Sequence, residues 1–487
     1  MSYTTALSFD LSPVRLSYVA ALRSVLPKKP SDDFCYAQTG AFDLDALLCL
    51  AASNPQGTFF AVAKDADKTA AQTRGVSNIT FVSSPDLLPT NLDYLVCEQT
   101  DALPSPTERE ALFSLAKKHL SAGGLLAYRY RAYQSADDAL RFLVAEFAPE
   151  MSAPQALDFL TEIKALGALY FADHPIARDA LDKAIAEKNP TLFFDSCGNY
   201  KDSASGAFAA MEGLLPRDFS FAGDADIGTN YLELSAPNAA HETLGKCREH
   251  LLYEPIKDFA LQRLIRNDIW VKRPAEQTVD PAELFGHFTF GITTAKDRVP
   301  STLATKGGSI SFQTPLFTRL IEIMTTLPMG IGDFLAHPAG YGMDPAEVVA
   351  AIHVLVACGI ASPMRARYEG KVSANTARPT WATSFNEYLS AATIAEPTVR
   401  LASSIVGGAV TLCVRDALVL QAIRRVGLSN SAGALLPELE QLVQKNPALA
   451  AQIMDTTEPT DETVHNIITD VVTKGLVRWY AYGLLAA

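Results

Sequence analysis

The residues best suited to chemistry fall in one short run, Gln38-Thr39-Gly40-Ala41-Phe42-Asp43-Leu44, between a strand-like stretch and a helix-like one. A glycine at a strand end allows a tight turn and a close approach of ligand to backbone. Further carboxylates follow later strand-like runs: Asp65 after the second, Glu98 and Asp101 after the fourth. Tyr130 ends the fifth. In an open α/β sheet, ligands bind at the carboxyl ends of the strands. Gly40, Asp43 and Asp65 are therefore the ligand-binding candidates, with Glu98, Asp101 and Tyr130 lining the cleft beside them. Each acid also has a structural role open to it. Asp43 stands where a helix cap belongs, and Asp65, Glu98 and Asp101 can be solvated loop carboxylates.

The elements that must hold these residues alternate. Strands are expected over Asp33 to Thr39, Thr58 to Ala63, Asn78 to Val82, Leu92 to Cys97 and Leu125 to Tyr130, with helices over Leu44 to Ser53 and Thr107 to Leu120. Alternation of this kind implies a parallel, doubly wound sheet over residues 1–150. Residues 151–275 read as mainly helical: Pro154 to Phe171, Pro175 to Glu187, Ala239 to Tyr253 and Pro255 to Arg266 are helix candidates, around an irregular, strand-like stretch from Phe219 to Leu234. In residues 276–380, Gly330 to Pro363 reads helix, turn, helix. A strand pair from Met364 to Val372 follows, a winged-helix-like outline. Residues 381–487 read as helical, with candidates at Val399 to Val406, Ala417 to Val426, Leu436 to Gln444 and Thr463 to Leu476.

The chain has 487 residues, too many for one hydrophobic core, and its 48% hydrophobic and 20% charged residues are an ordinary globular mixture. A formal net charge of -13 argues against nucleic acid or an anionic membrane as partner. The expected recognition helix of the winged-helix outline, Pro345 to Val356, carries no Lys or Arg, so that unit reads as a scaffold. The first residues lack the basic and apolar regions of a secretory signal, and no apolar run reaches the ~20 residues of a membrane span. A cytoplasmic protein is expected. Seven scattered cysteines without a CxxC pair support neither a disulfide framework nor a metal site. His353, on an apolar helical stripe, reads as a core histidine with a satisfied hydrogen bond.

Several stretches, taken in order, resemble the S-adenosylmethionine-dependent protein-lysine methyltransferases that carry a methyltransferase regulatory domain. Leu11-Ser12-Pro13-Val14-Arg15-Leu16 is similar to the segment leading into their first domain, and Ala51-Ala52-Ser53-Asn54-Pro55 to the helix after their glycine loop. Leu92-Asp93-Tyr94-Leu95-Val96, Pro104 to Leu112 and Leu120 to Tyr128 resemble the fourth strand, the helix after it and the start of the fifth strand. Phe171-Ala172-Asp173-His174-Pro175, the stretch Tyr253 to Phe259 through Arg263, Arg266, Asp268 and Ile269, and Arg400 to Gly407 resemble motifs of the regulatory and last domains. The resemblance covers nearly the whole chain. It implies a Rossmann-like class I methyltransferase domain followed by mainly helical domains including a winged-helix-like unit. It further implies S-adenosylmethionine as cofactor and protein lysines as substrate. Members methylate lysines of bacterial surface proteins, and some are dimers.

The pattern departs from the family where the cofactor would lie. The family's Glu/Asp-x-Gly-x-Gly-x-Gly loop becomes Gln38, Gly40, Phe42 and Leu44, so one glycine of three is kept and the leading acid is an amide. The acid that would accept hydrogen bonds from the cofactor ribose aligns with Ala63. Losing those charge-assisted bonds costs roughly 1.5–3 kcal/mol. The family's His-Gly-x-x-Ser-Trp segment becomes Glu98 to Leu103, and its Ser-Tyr-Asn segment becomes Arg129-Tyr130-Arg131. These departures imply a catalytically degenerate member without cofactor, acting as partner subunit or adaptor for a related methyltransferase or its protein substrate, in a homo- or heterodimer. The alternative is an active methyltransferase, in which Gly40, Asp43 and Asp65 hold S-adenosylmethionine.

Overall fold

Short apolar runs closed by turn residues must be covered from both sides, and a sheet between helical layers does this. In the computed structural model, five strands, β1 (Phe34–Gly40), β2 (Gly57–Val62), β3 (Ile79–Val82), β4 (Leu92–Gln99) and β5 (Leu120–Arg131), lie parallel in the order 3-2-1-4-5. The structure describes residues 11–25, 28–40, 42–63, 74–99, 106–131, 152–165, 174–188, 217–246, 265–273, 281–367, 379–392, 398–427 and 475–486, with isolated positions between them. Helices α1 (Pro13–Ala21) and α2 (Leu44–Ser53) cover one face. Helix α3 (Pro106–His119) covers the other, through Leu112, Phe113 and Ala116.

The sheet does not end at residue 150. Strands β6 (Phe219–Asp224) and β7 (Ile265–Lys272) complete it, giving the order 3-2-1-4-5-7-6 with β7 antiparallel to both neighbours. The first sheet therefore draws two strands from the mainly helical stretch: β6 falls within the part read as strand-like, while the helix expected to end at Arg266 overlaps the start of β7. The cause is chemical: Arg266 and Asp268 make the segment look polar, yet both are fully buried and neutralise each other.

Helices α4 (Ala153–Ala165) and α5 (Pro175–Ala186) pack together through Leu157, Leu160, Ala177 and Leu181. Helix α6 (Asn238–Lys246) lies between β6 and β7 in the chain. The middle section contains α7 (Pro281–Gly286), β8 (Thr289–Gly291), the hairpin β9 (Thr302–Thr305) and β10 (Gly308–Ser311), α8 (Pro315–Met324) and β11 (Met329–Gly330), and then α9 (Ile331–Ala336), α10 (Pro345–Ala357) and β12 (Ser362–Met364). The expected helix-turn-helix is present as α9 and α10, and β11 and β12 flank β8 in a small antiparallel sheet. The rest of the expected strand pair, residues 368–372, lies outside the described residues, so the winged-helix outline is not completed among them.

The C-terminal section corrects one expectation outright. Val399 to Val406 is not a helix. After β13 (Thr380–Trp381) and α11 (Phe385–Ala392), β14 (Thr398–Ser403) and β15 (Gly408–Cys413) form an antiparallel hairpin, followed by α12 (Val414–Val426). Gly407, at φ +71°, makes the turn, and β-branched Thr398, Val399, Val410 and Thr411 favour extended chain. Helix α13 (Leu476–Ala481) and β16 (Leu485–Ala486) follow, the latter paired with β13. The helices expected over Leu436 to Gln444 and Thr463 to Leu476 fall almost wholly outside the described residues.

A single apolar core joins the α1/α2 face of the sheet to the middle and C-terminal sections. Tyr18 of α1 packs against Phe285, Phe288 and Phe290, and its hydroxyl bonds His353 Nδ1 of α10 at 2.5 Å. His353 is thus a core histidine with a satisfied ring nitrogen. Tyr482 accepts from the Ile292 amide at 2.9 Å and donates to the Met324 carbonyl.

Candidate functional site at the carboxyl rim of the sheet

Parallel pairing sets Gly40 of β1 beside Glu98 of β4, and Glu98 beside Arg129 of β5. Antiparallel pairing sets Arg129 beside Asn267 of β7. Residues paired across adjacent strands point to the same face, so these four form one row across the carboxyl end of the sheet. That face is the one covered by α1 and α2.

Gly40 is at φ +84°, and a Cβ there would lie 2.3 Å from the Glu98 carbonyl oxygen, so only glycine lets β1 end against β4 this way. Two residues earlier on the same face, Gln38 is buried. Its Nε2 donates to Glu98 Oε1 at 2.7 Å, and its Oε1 accepts from the Tyr36 hydroxyl at 3.5 Å. Arg129 lies 3.9 Å from Glu98 Oε2. Burial holds the Glu98 carboxyl above the ordinary carboxylate range and the Asp43 charge adds to this, while Arg129 and Gln38 oppose it. Arg129 Nε and Asn267 Oδ1 are buried without a hydrogen-bond partner among the described residues.

The other candidates separate. Asp43 is exposed and caps α2, accepting from the Ala46 amide at 3.0 Å, so the helix-cap role is the one it fills. Phe42 and Leu44 are half-buried and turn against the core. Ala63 follows β2 and is held by a backbone bond to Val82. Asp65 and Asp101 lie outside the described residues.

Tyr130 does not share the cleft with Glu98. Odd and even residues of β5 face opposite ways, and Tyr130 belongs to the face covered by α3, where it is fully buried. Its hydroxyl donates to Asp268 Oδ2 at 2.5 Å, and the other oxygen of Asp268 accepts from Arg266 Nε at 2.7 Å. Arg266 reaches on to Glu254 at 2.9 Å, and Lys257 lies 3.7 Å from Glu254. Burial pushes the Asp268 carboxyl up to about 6 even with Arg266 beside it. Arg266 and Asp268 of the family-like stretch thus form an internal ion network joining the segment around Glu254 to β5 and β7.

Arg129 and Asn267 were absent from the candidates read off the sequence. Arg129 left one signal, a charged residue inside an otherwise apolar and aromatic strand. Asn267 left none, because nothing local announces that β7 pairs with β5. Among the described residues, no group of three or more His, Cys, Asp or Glu is placed to hold a metal ion, and no helix is long and apolar enough to cross a membrane.

The sheet order is that of a class I methyltransferase-like fold. Residues 207–272, which include β6 and β7, match the family model described as "predicted methyltransferase regulatory domain". Among solved structures the chain is similar to PKMT2 from Rickettsia typhi, with a TM-score of 0.60 at 12% identity over 98% of this chain and 99% of that one. It is also similar to the same protein in complex with AdoHcy, with a TM-score of 0.62 at 12% identity over 98% of each. An uncharacterized Synechocystis protein, sll1526, is 20% identical over 382 residues, 74% of this chain and 75% of that protein. The chain thus has a methyltransferase-like fold, and its segment 207–272 is similar to a methyltransferase regulatory domain.

Gly40 keeps its turn. The acid position of the loop, however, is an amide already bonded to Glu98, and the position for a ribose acid is an alanine.

Proposed function

We propose that this chain is a catalytically degenerate methyltransferase-like protein that acts as a partner subunit or adaptor for a protein-lysine methyltransferase or for its protein substrate. One observation carries the reading: the Gln38–Glu98 hydrogen bond at 2.7 Å. It spends the polar groups at the ends of β1 and β4 on each other, in the place where a class I enzyme turns them toward its cofactor. Phe42 and Leu44, packed on the core, and Ala63, with no polar group, support it.

The test is isothermal titration calorimetry of the full chain with S-adenosylmethionine and with S-adenosylhomocysteine. No heat of binding up to millimolar ligand is the expected result. Micromolar binding would overturn the reading. It would favour an active S-adenosylmethionine-dependent protein methyltransferase, the reading that the retained Gly40 turn supports. The partner role predicts a dimer, with itself or with a related methyltransferase, in sedimentation of the native protein. A stable solitary monomer that co-purifies with nothing would remove it.

A further inference from the structure

The seven-stranded sheet has two edges, and they are built differently. β6, at one edge, carries a bulge between Phe221 and Gly223 and begins beside Arg217 and Asp218. Bulges and charges are common protections of an edge against pairing with another chain. β3, at the other edge, has neither. Its register against β2 is regular from Ile79 to Val82, and Ser77 to Ser84 contains no charged side chain and no proline.

The bonds of β3 fix which groups it leaves free. The Phe59 amide donates to Asn78 O at 2.9 Å, and the Ala63 amide donates to Val82 O at 3.0 Å. Alternate residues of a parallel strand turn their backbone groups the same way. Asn78, Thr80 and Val82 are therefore spent on β2, while the amides and carbonyls of Ile79 and Phe81 point away from the sheet. Among the described residues nothing bonds them.

The edge is also thinly covered. The crossover from β3 to β4 takes residues 83–91, with one 3-10 turn at Pro85–Leu87 in the place where a crossover helix commonly sits. Parallel sheets are as a rule buried on both faces. Here, on the α3 face, Thr58 and Thr80 are exposed, and Phe60, Val62 and Val82 are half-buried.

Charge and symmetry select the occupant. A chain with 54 acidic and 41 basic residues repels its own copy unless the two meet where charge is absent. The β3 edge is such a place: Arg74 before it is paired with Asp45, and Asp86 after it with Lys118. Antiparallel pairing about a two-fold axis at Thr80 sets Ile79 opposite Phe81 of the second copy. Every free backbone group of these two residues is then bonded, and their side chains extend the α1/α2 face of the sheet. We infer that β3 is a self-association edge, through which two copies of this chain join their sheets antiparallel about Thr80. The inference rests on the partner role proposed above and gives its dimer a surface.

The test uses the full chain. Sedimentation equilibrium of the wild type at micromolar concentration is expected to show a dimer. Thr80→Lys, at an exposed position, sets two ammonium groups across the axis and should weaken the dimer about fivefold or more, with the fold intact by circular dichroism. Thr80→Cys should form a covalent dimer with copper phenanthroline in air, since directly opposed Cβ atoms lie about 5 Å apart. Thr302→Cys, exposed on β9, should cross-link no faster than wild type. A wild-type monomer, association only with a related methyltransferase, a Thr80→Lys dimer as tight as wild type, or Thr80→Cys no faster than Thr302→Cys would each overturn the inference. Its failure is separable from that of the functional reading. Micromolar S-adenosylmethionine binding removes the latter whatever the edge does, and a dimer indifferent to both Thr80 variants removes only the edge.

Discussion

Asn54 Nδ2 donates to the carbonyl oxygen of Gly407 at 3.1 Å, which ties the end of α2 to the turn of a hairpin more than three hundred residues further on. Ser53 reinforces the joint: its hydroxyl donates to Gly408 O at 2.8 Å and accepts from the Ser403 amide at 3.1 Å. Helix α2 starts at the Gly40 loop, so the C-terminal hairpin braces the element that sets the cleft.

This joint has little tolerance. Gly407 is at φ +71°, and a Cβ there would stand 3.1 Å from Arg365 Cβ and 3.3 Å from Asn54 Oδ1. Gly407→Ala is expected to cost about 1–2 kcal/mol from the left-handed backbone alone. Asn54→Ala loses bonds to Leu50 O and Gly407 O and is expected to cost about 1–3 kcal/mol. Both should lower the thermal midpoint in calorimetry. An unchanged midpoint for either would mean that the hairpin does not brace α2.

The buried ion network should behave as a unit. Arg266 and Asp268 are both fully buried and 2.7 Å apart, so Arg266→Met leaves a stranded carboxylate and is expected to destabilise by about 3–5 kcal/mol. Adding Asp268→Leu should recover part of that loss. Denaturant unfolding of the two variants decides it, and a double variant weaker than the single one by a further similar amount would contradict the pairing.

Gln38→Glu places a second carboxylate against Glu98, whose carboxyl burial already holds above its ordinary range. A pKa raised further in the folded state means that the folded protein binds more protons than the unfolded chain between the two values. Stability is then present at low pH and lost as pH rises through the folded value. The variant is expected to melt close to wild type near pH 4 and a few degrees below it near pH 8. The opposite pH trend would show that Gln38 does not face Glu98.

His353 gives the reverse sign. Burial lowers its imidazole to about 4 from an ordinary 6.5, and the Tyr18 hydroxyl bonds its Nδ1. The unfolded chain binds the proton first, so this contribution is intact above about pH 6.5 and falls away as pH drops toward 4. His353→Gln should flatten the melting temperature across that window. An equally steep acid decline in the variant would assign the decline to other groups.

Much of the first domain was legible from sequence because its determinants are local. Helix α2 runs from Leu44 to Ser53 as the pattern requires, since Asp43 caps one end and Asn54-Pro55 stops the other. Strands β1 to β5 announce themselves as apolar runs between turns. Asp43 as a cap and His353 as a bonded core residue were readable for the same reason. Their surroundings are set by neighbours in the chain or by one apolar stripe.

What the tertiary structure alone decided concerns pairing at a distance. β7 reads as polar until Arg266 and Asp268 are buried against each other, and a run such as Arg400 to Val406 suits helix or strand until a partner strand is present. Glu98 and Tyr130 are alike in sequence as strand-end residues, yet register puts them on opposite faces of the sheet. Arg129 and Asn267 become neighbours only when β7 inserts beside β5. The reason is physical: caps, turns and hydrophobic period are short-range and are written in the chain. Strand order and register depend on burial between segments far apart in sequence, and a one-residue slip would turn every side chain to the other face.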